Sequence, residues 1–187
     1  MSSFESLGYT VRRGFINKQL INTVSKYLEF ALRRYEWERS KDPVATSYAQ
    51  YADPLIELIL QDYQKDIEKI VNKEVYPTYS YARVYEKGDV LTPHLDRFEC
   101  EFSVTVNVAS VGAPWNIYLK GYDKKTESFI LEPGDAIIYK GCEVMHWREE
   151  SEDTQLCVQF MLHYVDKNGP SSYLKYDGRQ ALGMPRN

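Results

Sequence analysis

The apolar residues change period near Pro77, and that change constrains the fold more than any other feature of the chain. Upstream, Ile16, Leu20, Val24, Tyr27, Leu28, Ala31 and Tyr35 recur at spacings of three and four, which predicts an amphipathic helix over residues 15–38. Asp53-Pro54 reads as an N-cap followed by proline at the first helical position. Leu55, Leu58, Ile59, Tyr63, Ile67 and Ile70 then carry a second helix to about Lys73, and the segment SKDPVATSYAQYA between the two helices reads as a polar loop. Downstream the period is two. TYSYARVY, EFSVTVNV and WNIYLK alternate, SFILEPGDAIIYKG reads as two short strands around a Pro-Gly turn, and LCVQFMLHYV reads as a last long strand. Two helices followed by many short strands predict an α+β, mainly β domain, with strands forming a sandwich or barrel and helices bracing one sheet.

A chain of 187 residues fits one domain. Residues 1–75 are expected to be mostly helical support, 76–166 the β core and 167–187 an extended or partly ordered C-terminal arm. The net charge of −4 implies no basic face, which argues against nucleic acid or an anionic membrane surface as partner. No apolar run approaches the length of a membrane span, and the first residues lack the layout of a secretory leader. Cys100, Cys142 and Cys157 are odd in number and widely spaced, with no CxxC, so neither a disulfide framework nor a zinc knuckle is expected, and a reducing cytoplasm is the simplest home. The 16 tyrosines suit half-buried strands and pocket walls that need a ring with a polar tip.

Only three histidines are present, and one lies in TPHLDR, residues 92–97. On a strand, positions i and i+2 share a face, so His94 and Asp96 are expected to aim an imidazole and a carboxylate at one point. A third ligand must come from elsewhere, and His146, after the Pro-Gly-bounded strands, is the candidate. Two imidazoles and one carboxylate leave three open positions on an octahedral ion, the pattern of non-haem Fe(II) oxygenases. The bland alternative is a surface His–Asp pair with His146 at a strand end. His163 reads as a satisfied core or edge histidine, and ligation by Cys142 is disfavoured because the set is complete without it.

At these residues the chain resembles the Fe(II)/2-oxoglutarate-dependent dioxygenases, in particular their prolyl-hydroxylase-like branch. RVYEKGDVLTPHLD is similar to that branch's tyrosine, glycine turn and H-x-D layout, and PGDAIIYKGCEVMHW to its strand, turn and distal histidine. The resemblance covers roughly residues 76–166. It implies a double-stranded β-helix, the jelly roll of two packed sheets, and His94, Asp96 and His146 as iron ligands. It also implies 2-oxoglutarate bound to the iron through its keto and C1-carboxylate oxygens, with O2 taking the remaining position.

The branch anchors the far carboxylate of 2-oxoglutarate with an Arg or Lys on the strand after the distal histidine. Here that strand, TQLCVQFMLHYV, holds neither. Arg148, two residues beyond His146, is the expected substitute, weighed against a surface ion pair with Glu149, Glu150 and Glu152. Arg83 and Lys120 are fallback cations. Tyr85 sits where the family places a hydroxyl over the cosubstrate. Ser103, Thr105 and Asn107 share one inward strand face that needs polar partners, and Asn107 is the preferred contact. Tyr79, Tyr81, Trp115, Tyr118 and Trp147 are candidates for a substrate rim.

The expected activity is hydroxylation of an unactivated C–H bond, with a peptidyl proline or another amino-acid side chain, in a protein or a small molecule, as first substrate class. The alternatives are a non-catalytic jelly roll that binds a metal or small acid, and a cupin-type metal enzyme without 2-oxoglutarate. Cupins more often use extra histidines, and only one is spare here.

Overall fold

The computed structural model describes residues 3–34, 37–40, 42–150 and 153–185. Its helices are α1 (Ser3–Leu7), α2 (Lys18–Arg34), α3 (Pro54–Asp62) and α4 (Gln64–Val71). Its strands are β1 (Tyr9–Arg12), β2 (Tyr48–Tyr51), β3 (Val75–Glu86), β4 (Leu91–His94), β5 (Phe102–Gly112), β6 (Ile117–Lys120), β7 (Thr126–Phe129), β8 (Ala136–Tyr139), β9 (Met145–Arg148) and β10 (Thr154–Asp166). They form a six-stranded sheet in the order β1-β8-β5-β10-β3-β2 and a four-stranded sheet in the order β4-β9-β6-β7. Every pairing in both is antiparallel. Two packed antiparallel sheets, between which β3 to β6 alternate and then β7 to β10 alternate after the β6-β7 hairpin, make the expected double-stranded β-helix.

The period-two pattern sorts the larger sheet into two chemically different faces. Phe102, Val104, Val106 and Val108 of β5, with Val158, Phe160, Leu162 and Tyr164 of β10, face outward into the main hydrophobic core. Ile21, Val24, Leu28 and Ala31 of α2 and Ile56, Ile59 and Leu60 of α3 cover that face. Burying each of the larger side chains is worth about 2 kcal/mol, an upper figure because unfolded chains already hide some surface. The alternate residues (Ser103, Thr105 and Asn107 on β5; Gln159, Met161 and His163 on β10; Tyr79, Tyr81, Arg83 and Tyr85 on β3) turn the opposite way, toward the smaller sheet. The functional cavity therefore lies between the sheets.

The helical region differs from the periodicity reading in three places. The first helix begins at Lys18, where the Asn17 side chain accepts the Leu20 N–H at 2.9 Å. Ile16 instead donates its N–H to Gly134 O at 3.0 Å, an approach so close that a Cβ on Gly134 would meet Ile16 O at 2.6 Å. Tyr35 lies outside the described residues. The second helix is two. Asp53 caps α3 as expected, accepting from Leu55 and Ile56 N–H, but Tyr63 (φ −86°, ψ 0°) ends it and starts α4, its ring packing 5.2 Å from Phe15. The segment predicted to be a polar loop contains β2, which extends the larger sheet, and β1 at the other edge also comes from the supposedly helical third of the chain.

Residues 42–47 close the side of the jelly roll between β2 and β4: Thr92 N–H reaches Val44 O at 2.8 Å, and Ala45 bridges Leu91. The C-terminal arm is docked. Arg179 makes a buried pair with Glu57 at 2.5 Å and donates to Thr78 O at 3.0 Å, which fixes the arm against α3 and β3. No described helix is long and apolar enough to cross a membrane.

Candidate metal centre and ligand cavity

His94 ends β4 and stands opposite His146 of β9 in the sheet register, with ring centroids 4.2 Å apart. Asp96 does not continue the strand, as the i, i+2 argument assumed. It lies past the end of β4, and its N–H donates to Gly141 O at 2.9 Å, which swings the carboxylate back toward the histidines. Asp96 Oδ1 lies 3.6 Å from Nε2 of both His94 and His146. The three ligand atoms all fall within 4.8 Å of one another.

Each imidazole is fixed in the tautomer a metal requires. His94 Nδ1 lies 2.8 Å from Thr92 O and His146 Nδ1 3.0 Å from Val144 O. A carbonyl only accepts, so both Nδ1 atoms carry the proton and both Nε2 lone pairs face the common point. Burial pushes the pKa of His146 down. Burial also opposes charge on His94, but the bonds to Asp96 and Thr92 O outweigh it and raise its pKa. Burial alone would raise Asp96, yet His146, His94 and His163 together with the Ser103 hydroxyl hold its pKa far below the ordinary carboxylate range. An ionised carboxylate beside two imidazoles, both oriented through Nδ1, fits a divalent transition ion.

Asp96, Cys100 and His163 form a second close group. It makes a poor ligand set. His163 Nδ1 is committed to Ser103 Oγ at 3.0 Å, and the Cys100 thiol pairs with the Tyr79 hydroxyl at 3.0 Å and is held protonated by burial. The half-buried Cys142 thiol turns to Arg97 O at 3.3 Å, in keeping with its exclusion.

The triad opens into a cavity of about 490 Å³ whose walls include Tyr79, Tyr81, Arg83, Tyr85, Gln159 and His163. Of the three residues expected to hold the cosubstrate, Tyr85 lines this cavity, whereas Asn107 and Arg148 line an adjoining one of about 170 Å³ together with Cys157. Trp115, which lines the smaller cavity, contacts residues of both: the Tyr85 ring packs edge-on against it at 5.1 Å, and the Arg148 guanidinium lies 4.8 Å above it. Arg148 is not at the surface and, among the described residues, has no ion pair with Glu149 or Glu150; Glu152 lies outside the described residues. It is 2% exposed, and among the described residues its hydrogen bond is Nη1–H to Trp115 O at 2.7 Å and its Nε–H has no partner. Asn107 is already engaged, donating to Leu131 O at 2.7 Å and exchanging bonds with Ser110.

Of the fallback cations, Lys120 is exposed at the end of β6, and Arg83 is paired with Asp42 at 2.7 Å and Ser47 Oγ at 2.9 Å. Tyr79 and Tyr81 face the cavity, but Tyr118 and Trp147 stack on each other at 5.4 Å on the opposite face of the smaller sheet, the alternates of Leu119 and His146. Sequence reasoning missed Gln159, a cavity-lining residue with an unpartnered Nε2, and Ser103 and His163 as partners of Asp96. Their common parity along β5 and β10 was the available signal.

Comparison with solved structures places this architecture. A prolyl-4-hydroxylase from Pseudomonas putida superposes with a TM-score of 0.73 at 12% identity, over 88% of this chain and 95% of that one. The chain has the fold of these oxygenases. The non-haem α-ketoglutarate-dependent epimerase SnoN from nogalamycin biosynthesis matches with a TM-score of 0.76 at 12% identity, over 97% of this chain and 89% of that one. HygX from Streptomyces hygroscopicus, solved with nickel and 2-oxoglutarate bound, matches with a TM-score of 0.70 at 12% identity, over 88% and 85% of the two chains. By sequence, no protein-family model and no curated protein matches the chain.

Proposed function

We propose that the protein is an Fe(II)/2-oxoglutarate-dependent dioxygenase that hydroxylates an unactivated C–H bond, with a peptidyl proline or another amino-acid side chain as the first substrate class. The observation that carries this reading is the convergence of His94, Asp96 and His146 with both imidazoles tied through Nδ1. A bare binding module has no need for a ligand set that leaves three positions open on an octahedral ion. When bound, iron, 2-oxoglutarate and O2 supply the oxidising power, giving succinate, CO2 and a hydroxylated product.

The chain's own residues orient and desolvate. Arg148 receives the far carboxylate of the acid. It is a buried guanidinium with no carboxylate partner among the described residues and an unpaired Nε–H, so it gains most from an anion. It follows His146 by two residues on the same face of β9, about 6.7 Å along the strand, the scale of a short dicarboxylic acid. The Tyr85 hydroxyl, kept protonated by burial, is available to donate beside it. The tyrosine-lined remainder of the cavity is left for the primary substrate.

The test is succinate formation in air from 2-oxoglutarate and Fe(II), with Asp96→Ala as control. Succinate above the control supports the enzyme. Metal and acid binding with no succinate, tested across peptide and amino-acid substrates, supports the non-catalytic binding module instead.

A further inference from the structure

The reading above names the metal ligands but not what makes Asp96 present a single oxygen. Its two oxygens sit in different surroundings. Oδ1 faces Nε2 of both histidines at 3.6 Å. Oδ2 points away from them, accepts the Ser103 hydroxyl at 2.8 Å, and rests against Gly141 so closely that a Cβ there would collide with it. Ser103 Oγ has one proton and three neighbours: Asp96 Oδ2 at 2.8 Å, Cys100 O at 3.2 Å and His163 Nδ1 at 3.0 Å. The charged and nearest acceptor takes the proton. His163 Nδ1 is then left facing an oxygen lone pair, so it must carry a proton and donate to Ser103. The result is a directed chain: His163 Nδ1–H to Ser103 Oγ, then Ser103 Oγ–H to Asp96 Oδ2. Ser103 and His163 are both buried, and His163 is held in orientation by the Tyr79 ring 4.6 Å away.

We propose that Ser103 and His163 are positioning residues that occupy Asp96 Oδ2 and thereby hold the carboxylate to one-oxygen ligation. This inference rests on the metal reading above. Its consequence is arithmetic. Two histidines and one oxygen leave three of six positions, which suffices for a two-point keto acid and O2. A carboxylate binding through both oxygens leaves two. Ser103 and His163 would thus decide how many positions the site keeps open, though neither is one of the three ligands.

Anaerobic Co(II) titration of the apoprotein tests this, with the thermal midpoint of each apo variant measured alongside. Ser103→Ala is expected to weaken Co(II) binding about 10- to 100-fold, the usual effect of losing a partner of a metal ligand, with the apo protein still folded and its midpoint lowered by no more than about 9 °C, the cost of leaving a buried group unsatisfied. Ser103→Thr, which keeps the hydroxyl, is expected to stay within about threefold of wild type. A merely structural serine predicts equal losses in both variants, and that result overturns the inference, as does wild-type affinity in Ser103→Ala. If Ser103→Ala does not fold, His163→Phe makes the same comparison, with weaker Co(II) binding at an unchanged midpoint expected and unaltered binding overturning the chain. Nitrogen NMR of His163 in the wild-type apoprotein at neutral pH gives a reading independent of metal: protonation on Nδ1 alone is expected, and the Nε2–H tautomer overturns the directed chain. Failure of the wild type to bind Co(II) at all overturns the metal reading itself and is distinguishable from every variant result.

Discussion

Replacing Arg148 by methionine separates a ligand anchor from a structural arginine, because the two roles predict opposite effects on the acid-free protein. Methionine fills a similar unbranched volume. The change removes an unpartnered buried Nε–H, which costs about 1–3 kcal/mol to leave unsatisfied. It also removes one hydrogen bond to Trp115 O and a guanidinium stacked 4.8 Å over the Trp115 ring, together worth about 1–3 kcal/mol. These nearly cancel, so acid-free Arg148→Met should lie within about 1 kcal/mol of wild type. Binding is different. A charge-assisted bond to the far carboxylate contributes about 1.5–3 kcal/mol, so 2-oxoglutarate affinity should fall about 10- to 150-fold. At an acid concentration about 100 times its Kd, wild type gains about 2.7 kcal/mol, while a variant binding 100-fold more weakly gains about 0.4 kcal/mol. At about 3 °C per kcal/mol for a domain of this size, the midpoint rises by about 8 °C in wild type and about 1 °C in the variant. The assay is thermal unfolding of the Co(II)-loaded protein without O2, with and without 2-oxoglutarate. A loss above about 3 kcal/mol in acid-free Arg148→Met, or an undiminished shift with the acid, refutes the anchoring argument.

Other changes follow from the same geometry. Gly141→Ala puts a methyl group against Cys100 O and the Asp96 carboxylate, so metal affinity should fall by at least tenfold in a Co(II) titration while far-ultraviolet circular dichroism stays near wild type. Metal binding requires neutral His94, whose pKa is raised, so Co(II) affinity should fall about tenfold per unit once the pH drops below that value; a flat profile between pH 7.5 and 5.5 contradicts the assignment. Asp135 of the Pro-Gly-Asp turn accepts from Arg13, Gly14 N–H and Glu132 N–H, which outweigh burial and lower its pKa. A depressed carboxylate stabilises the fold above its unfolded pKa and loses that effect as pH falls through its folded one. Asp135→Asn should therefore lower stability by about 2 kcal/mol at pH 7 and show a shrinking deficit in urea titrations below pH 4. Glu57→Gln strands the buried Arg179 charge and should lower stability by about 3–5 kcal/mol in denaturant melts; a loss below 1 kcal/mol means the arm is not fixed through that pair.

The β half was legible because each strand has two chemically different faces. The apolar face of β5 and β10 meets helices, and the polar face meets a cavity, so alternation recorded both. The grouping of His94, Asp96 and His146 was legible because histidines are scarce. What escaped was set by tertiary contacts rather than local pattern. Nothing in Tyr48–Tyr51 alternates strongly, and its strand character comes from pairing with β3. The break at Tyr63 interrupts no periodicity. Asp96 reaches its place through Gly141, 45 residues away in sequence, while the strand-parity argument for it failed. The burial of Arg148 could be guessed from its parity with His146, but not the lack of a carboxylate beside it. The partnership of Ser103 and His163 depends on the register of β5 against β10, which no single strand records.

The central claim is that His94, Asp96 and His146 hold Fe(II) with 2-oxoglutarate bound beside them. Anaerobic addition of Fe(II) and 2-oxoglutarate to the apoprotein tests it most directly. The account predicts a weak visible charge-transfer band that needs both components and vanishes in folded His94→Ala and Asp96→Ala. No band in wild type, or a band that survives in either folded variant, contradicts it.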